Sequence, residues 1–355
     1  MILPSTIGLR GNTFGALASR LSSKLHLGII DPHFRNNRIL KDQVIATGMQ
    51  LMALSALIPL IGEIIGLIFG LKFAPFTELL FISLAAGLIS GLLMMVISLG
   101  ITFLSFRKGW DPDNVSAPII ASSGDILTIP ILFFAAWISQ QVELVWIRWI
   151  SIVIVVLIAI SILILLIRYR KEVRDILIGM FPIALVAIII STFAGLVLGA
   201  AFDSYLKGTI FLLLVPAFNG QGGSLGSILG SRLSSASYLG QDRLTLFPNG
   251  TGRRSSATLW IISLVVFTFM GLVASGLGLA AGIEIPDYLK LTAIVLMGAT
   301  LITFMSSSIA YYVAYVATKL GLDPDNVVIP VLTAVMDVVG SGSLIMSILL
   351  IGAVL

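Results

Sequence analysis

Long apolar stretches alternate along this chain with short polar or Gly-rich breaks. The pattern predicts spans near residues 4–25, 43–70, 77–105, 116–138, 145–167, 176–202, 208–233, 257–282, 288–318 and 327–353. Most of the runs are predominantly apolar over about 20 residues, the Gly-rich stretches at 4–25 and 208–233 less so. A barrel strand would alternate in polarity over ~10 residues, so the spans read as helices. Composition agrees, with 58% hydrophobic residues, a mean hydropathy of +1.09 and only 11% charged residues. A soluble domain carries about 25% charged residues. The expected fold is an all-α integral membrane protein of about ten transmembrane helices in a lipid bilayer.

The chain repeats itself. Residues 4–28, PSTIGLRGNTFGALASRLSSKLHLG, pair without a gap with residues 216–240, PAFNGQGGSLGSILGSRLSSASYLG, at 11 of 25 positions. Residues 111–126 pair with 323–338 at 7 of 16 positions, at the same offset of 212. A constant offset means the helices between keep their lengths. The expected organisation is a first repeat in 1–140, a linker helix in 141–172 and a second repeat in 173–355. The span at 176–202 precedes the second Gly-rich helix and has no counterpart before the first, so repeat one is expected to lack its first helix. The span at 145–167 is uniformly apolar, without Gly, and suits a connecting crossing. With it, the two repeats run parallel, as a pseudo-dimer about an axis along the membrane normal.

Charge placement orients the chain. One set of alternate loops holds Arg20, Lys24, Arg35, Arg38, Lys41, Arg107, Lys108, Arg168, Arg170, Lys171, Arg174, Arg232, Arg243, Arg253, Arg254 and Lys319. The other holds Lys72, Arg148, Lys207 and Lys290. Lys and Arg accumulate on the cytoplasmic side. Ten crossings then put both termini on the extracytoplasmic side of a multi-pass cell-membrane protein. The sequence carries no basic-then-apolar leader pattern at Met1, and its net charge of +4 is spread through short loops rather than gathered for nucleic acid.

Cysteine is absent and only His26 and His33 are present. Thiolate and imidazole metal sites are therefore excluded as a general design, and any bound metal must be a hard cation on oxygen ligands. No resident cofactor is expected. The acidic candidates come in pairs. Asp125 and Asp337 lie 12 residues beyond Asp113 and Asp325, ~18 Å along a helix and near mid-membrane. An ionisable group there costs at least ~3 kcal/mol and usually marks an ion path. Brought to ~8 Å by a two-fold axis, the two carboxylates would repel by ~2 kcal/mol at an effective dielectric near 20, and a divalent ion reverses that sign. A buried, protonated Asp bonded to a neighbour is the plainer alternative.

Asp111-Pro112-Asp113-Asn114 and Asp323-Pro324-Asp325-Asn326 read first as helix caps with Pro at N1. They also form an acidic mouth that concentrates cations. Pro118 and Pro330 follow within two turns and are expected to loosen the helix and free carbonyls towards a pore. The Gly-rich helices, with Gly8, Gly11, Gly220, Gly222 and Gly223, lack the strand and the Lys-Ser/Thr of a nucleotide loop. Gly222-x3-Gly226-x3-Gly230 is a stripe for close helix packing. A further reading has carbonyls of an unwound stretch lining the ion path at Gly11, Asn12, Gly223 and Ser224. Arg10 breaks the symmetry, standing where the second copy has Gly222. Arg20 and Arg232 read as cytoplasmic anchors and Glu63 as a snorkelling group.

The segments GLRGNTFGALASRLSS and GQGGSLGSILGSRLSS, with the two Asp-Pro-Asp-Asn-Val segments and their downstream aspartates, resemble the membrane domain of the MgtE magnesium transporters. The likeness is closest to the fused, two-repeat form of solute carrier family 41 and its prokaryotic relatives. The resemblance implies a Mg²⁺-conducting pore at a pseudo-two-fold axis, with Asp125 and Asp337 binding the hydrated ion. It implies regulatory Mg²⁺ at Asp111 and Asp323, and pore backbone from the Gly-rich helices. The soluble regulatory domains of MgtE proteins have no counterpart in these residues. The expected function is divalent cation transport, not enzymatic catalysis. A Na⁺- or H⁺-coupled exchanger of Mg²⁺, Mn²⁺ or Co²⁺ is the alternative. An intramembrane aspartyl protease is the remote one, faintly suggested by Ser123-Gly124-Asp125 and contradicted by Val335-Met336-Asp337.

Overall fold

A computed structural model describes residues 2–31, 37–70, 74–168, 171–201, 210–238, 244–248, 250–283, 285–321 and 324–354. Among them are ten helices and no strand: α1 (Ile2–His26), α2 (Arg38–Ile68), α3 (Phe76–Arg107), α4 (Pro112–Gln141), α5 (Leu144–Arg168), α6 (Lys171–Ala201), α7 (Ile210–Tyr238), α8 (Gly250–Ala281), α9 (Tyr288–Lys319) and α10 (Pro324–Val354). Each expected span has its helix. Eight of the ten are long and apolar enough to cross a membrane. The remaining two, α1 and α7, are the Gly- and Ser-rich helices, whose polar content lowers their hydropathy.

Local signals explain the helix ends. Asn37 caps α2, its side chain accepting from the Ile39 N–H at 2.8 Å. Gly109 and Gly321 stop α3 and α9 at φ +71° and +68°, a left-handed conformation that costs an L side chain ~1 kcal/mol or more. Three residues after each, Pro112 and Pro324 open α4 and α10, where a missing N–H loses nothing. With equivalent starts at Phe76 and Tyr288 as well as equivalent stops, α3 and α9 have the same length, 32 residues.

The chain forms two compact units. The first, Ile2–Thr192, holds α1–α5 and most of α6. In it α4 packs on α1 and α3, and α2 closes against both of those helices. Its core gathers Leu9, Phe14, Leu17, Leu54, Met94 and Ile120. Helix α5 lies at the edge, on α2 and α3, with only 11% of its apolar window buried against 50% for α2. The repeat boundary expected at 173 and the division by packing at 193 fall at different points of α6. Val173 and Leu177 pack on Ala46, and Ala184 and Ile188 join the first core. Ser5 and Thr192 hydroxyls bond at 2.8 Å. The second unit, from Phe193 to Leu355, repeats the arrangement with α7, α9 and α10 in close contact and α8 on α9 and α7. Its core centres on Phe218, Phe267, Ile302 and Leu332.

Candidate functional site

Asp125 and Asp337 are each the fourteenth residue of their helix, α4 and α10, ~20 Å from its start. Both are half-buried. Among the described residues, Asp42, Glu63, Glu78 and Asp175 all lie within two turns of a helix end, so Asp125 and Asp337 are the acids placed mid-helix. No group of three or more His, Cys, Asp or Glu converges among the described residues. Among the described residues each unit thus places one carboxylate at the middle of a helix. A metal held there must draw its other oxygens from water, hydroxyls or carbonyls, which fits an ion that keeps much of its hydration shell.

The second unit braces its aspartate. Asn219 of α7 donates through Nδ2 to the Asp337 carbonyl at 3.1 Å and to Ser341 Oγ at 2.9 Å. Ser341 Oγ in turn donates to the same carbonyl at 2.7 Å. This ties α7 to α10 at the level of the carboxylate. Sequence reasoning missed Asn219 and Ser341. The signal was present but asymmetric, because the equivalent first-repeat positions are Ile7 and Ile129.

The glycine stripe of α7 packs closely. A Cβ at Gly222 would lie 2.2 Å from Ile302, one at Gly226 2.2 Å from Ser306 Oγ and 2.4 Å from Leu332, and one at Gly230 2.4 Å from Val328. At Gly223 the nearest atom would be the Thr333 methyl, 3.3 Å away. The unwound stretch expected at these glycines is absent. Helices α1 and α7 run unbroken through Gly11 and Gly223. In α7 the Gly222 carbonyl accepts from Ser306 Oγ and the Gly223 carbonyl from Ser227 Oγ, both at 2.8 Å. Close packing won because glycine's missing side chain lets the neighbouring helix replace the lost contacts. Asn12 and Ser224 are both buried, at 4% and 5% exposure. In the first unit, Gly11 N lies 3.8 Å from where a Gly124 Cβ would be, which sets the α1 backbone beside the residue preceding Asp125. Helices α4 and α10 also continue through Pro118 and Pro330 rather than opening. Pro330 is buried.

At the helix start, Asp111 is exposed and its carbonyl accepts from Val115 N–H at 3.3 Å. Its carboxylate lies 3.8 Å from His26 Nε2, a partner the sequence did not suggest. Asp323 lies outside the described residues, as do the side chains of Asp113, Asn114, Pro118, Asp325 and Asn326. Arg20 does more than anchor. It is half-buried, donating to Gln43 Oε1 at 2.8 Å and Thr47 Oγ1 at 3.1 Å, whereas Arg232 is exposed. A cavity of about 350 Å³ in the first unit, lined by Met49, Ala53, Ile162, Leu177 and Phe181 with Gln50, is apolar and supplies no cation ligand set.

The MgtE family, described as "Divalent cation transporter", matches residues 3–135 and 215–347, the same 212-residue shift as the internal repeat. Solute carrier family 41 member 2 of Homo sapiens is 29% identical, covering 98% of this chain. The rat solute carrier family 41 member 3 is 28% identical, again over 98% of this chain and over 78% of its own length. The chain spans about 63% of the length of the human relative. No solved structure matches. With both repeats inside the matched segments, the chain belongs to the MgtE family of divalent cation transporters.

Proposed function

We propose that this protein moves divalent cations, Mg²⁺ first among them, across a membrane along a path at the pseudo-two-fold axis of its repeats. The observation that carries the reading is the duplicated carboxylate. Asp125 and Asp337 are half-buried at the same position of equivalent helices, in segments that otherwise keep acids at their ends. An intramembrane acid is costly and marks ion or proton pathways. Two of them, with no cluster of three acids among the described residues, suit a hydrated dication better than a stripped one. Asp111 and Asp323 serve the cytoplasmic mouth, and Gly11, Asn12, Gly223 and Ser224 support the path. The basic-loop asymmetry supports a cytoplasmic placement for that mouth and extracytoplasmic termini. The relatives are named solute carriers, which favours transport over proteolysis.

The test is flux of Mg²⁺ into liposomes containing the purified chain, read by an enclosed indicator. Asp125→Asn and Asp337→Asn each abolish flux while the protein remains monodisperse. Undiminished flux in both single variants overturns the shared carboxylate site. Repeating the measurement with and without a Na⁺ gradient, and with a pH gradient, separates a passive path from a coupled exchanger.

A further inference from the structure

The two repeats differ in kind at one buried cluster. In the second unit Phe218, Phe267 and Ile302 are fully buried and Ala299 is 3% exposed. The two rings lie 4.9 Å apart, and Ile302 fills the space over Gly222. This is an apolar plug between α7, α8 and α9. Shifted by 212, the same five positions are Thr6, Arg10, Ser55, Gly87 and Ser90. Thr6, Arg10, Ser55 and Ser90 are all 0% exposed. Four apolar side chains and a glycine have become three hydroxyls, a glycine and an arginine.

The arginine is held firmly but incompletely. Its Nε donates to Ser90 Oγ at 2.9 Å and its Nη1 to the Thr6 carbonyl. Ser90 Oγ donates on to the Ala86 carbonyl, and the Ser55 carbonyl accepts from Ser83 Oγ at 2.6 Å. The Thr6, Ser55 and Ala86 carbonyls and Ser90 Oγ each already accept a hydrogen bond. Arg10 Nη2 and Ser55 Oγ have no partner among the described residues. Both atoms face Gly87, where a Cβ would lie 3.7 Å from Nη2 and 2.6 Å from Ser55 Oγ. No carboxylate among the described residues forms an ion pair with Arg10. Two unpartnered donor groups, the Nη2 amino group and the rotatable Ser55 hydroxyl, thus lie either side of Gly87 with a whole positive charge, since arginine does not deprotonate.

We propose that Arg10, Ser55 and Gly87 form a binding site for a small monovalent anion of the halide class. The guanidinium offers donors only and its positive charge repels a metal cation, while the Ser55 hydroxyl can donate beside it, so the set calls for an acceptor that carries negative charge. Water would satisfy the hydrogens and leave the buried charge uncompensated. A phosphate or sulfate would bring more oxygens and more charge than these two donor groups and one guanidinium charge match. Gly87 is part of the site because a methyl there would drive the Ser55 hydroxyl out of place. The Arg10 Cβ lies 3.9 Å from the position a Gly124 Cβ would take, next to Asp125. If the cation reading holds, a bound anion also cancels a positive charge close to one of the two acidic residues.

Bromide is the probe. Thermal unfolding of the full chain in detergent is followed by intrinsic fluorescence in sodium bromide against sodium gluconate at fixed ionic strength, with no divalent ion present. The apparent Tm of the wild type rises saturably with bromide and not with gluconate. Ser55→Ala raises the half-saturating bromide concentration about tenfold, and Gly87→Ala moves it in the same direction. Because Arg10→Met risks misfolding, the decisive variant imports the second repeat's plug: Thr6→Phe, Arg10→Gly, Ser55→Phe, Gly87→Ala and Ser90→Ile together. It folds and shows no bromide response. Equal wild-type Tm in the two salts overturns the site. So does an unchanged half-saturation in Ser55→Ala, or a response retained in the five-residue variant. None of these readouts involves cation flux, so the anion site and the transport reading stand or fall separately.

Discussion

Replacing Gly226 with alanine tests the packing that fixes Asp337. The added methyl would lie 2.2 Å from Ser306 Oγ and 2.4 Å from Leu332 Cδ2. Ordinary contacts are ~3.5–4.0 Å, so both groups must retreat by more than about 1 Å. Moving Ser306 breaks its 2.8 Å bond to the Gly222 carbonyl, worth ~0.6–1.7 kcal/mol in a membrane protein. Overpacking adds ~1–3 kcal/mol, for a total of about 2–4 kcal/mol. The control is Gly342→Ala in α10, where nothing lies within 4 Å. Fluorescence-detected size exclusion after heating should place Gly226→Ala about 5–10 °C below that control. Adding Ser306→Gly, which removes one of the two clashing groups, should recover part of the loss. If Gly226→Ala and Gly342→Ala melt together, α7 is not seated on α9 and α10 as described.

Asn219→Ile copies the first-repeat residue Ile7 and removes both bonds from Asn219. It should cost ~1–2 kcal/mol of stability and lower Mg²⁺ flux per folded molecule, measured in the same liposomes. Gly109→Ala and Gly321→Ala place a Cβ at φ +71° and +68° and should each cost ~1 kcal/mol. Gly100→Ala, inside α3 with open space at its Cβ, should be neutral or stabilising by up to ~1 kcal/mol. Thermal unfolding distinguishes the three.

Much of the fold was legible because membrane helices announce themselves by length and polarity. The ten spans, the duplicated Asp-Pro helix starts at 111–112 and 323–324, and the two mid-helix aspartates all follow from one-dimensional rules. The glycine stripe was also legible, as close packing. The unwinding expected beside it was not found. A Gly-rich helix can either open or be clasped, and neighbouring side chains such as Ile302 and Leu332 decide which. The Asn219–Asp337–Ser341 brace was invisible because it joins residues 118 and 122 positions apart. Arg20 looked like a surface anchor until α2 supplied Gln43 and Thr47 as partners.

By itself, then, the sequence determined that this is a helical membrane protein built twice, with one matching mid-helix acid in each copy. Those properties are additive along the chain, being set by local polarity, helix punctuation and the repeat offset. Tertiary structure alone decided which helix clasps which, and that most of α6 packs with the first unit. It also decided that five equivalent positions form an apolar plug in one copy and an arginine cradle in the other. Such outcomes depend on how side chains from three or four helices fill a shared volume, and no single segment encodes that.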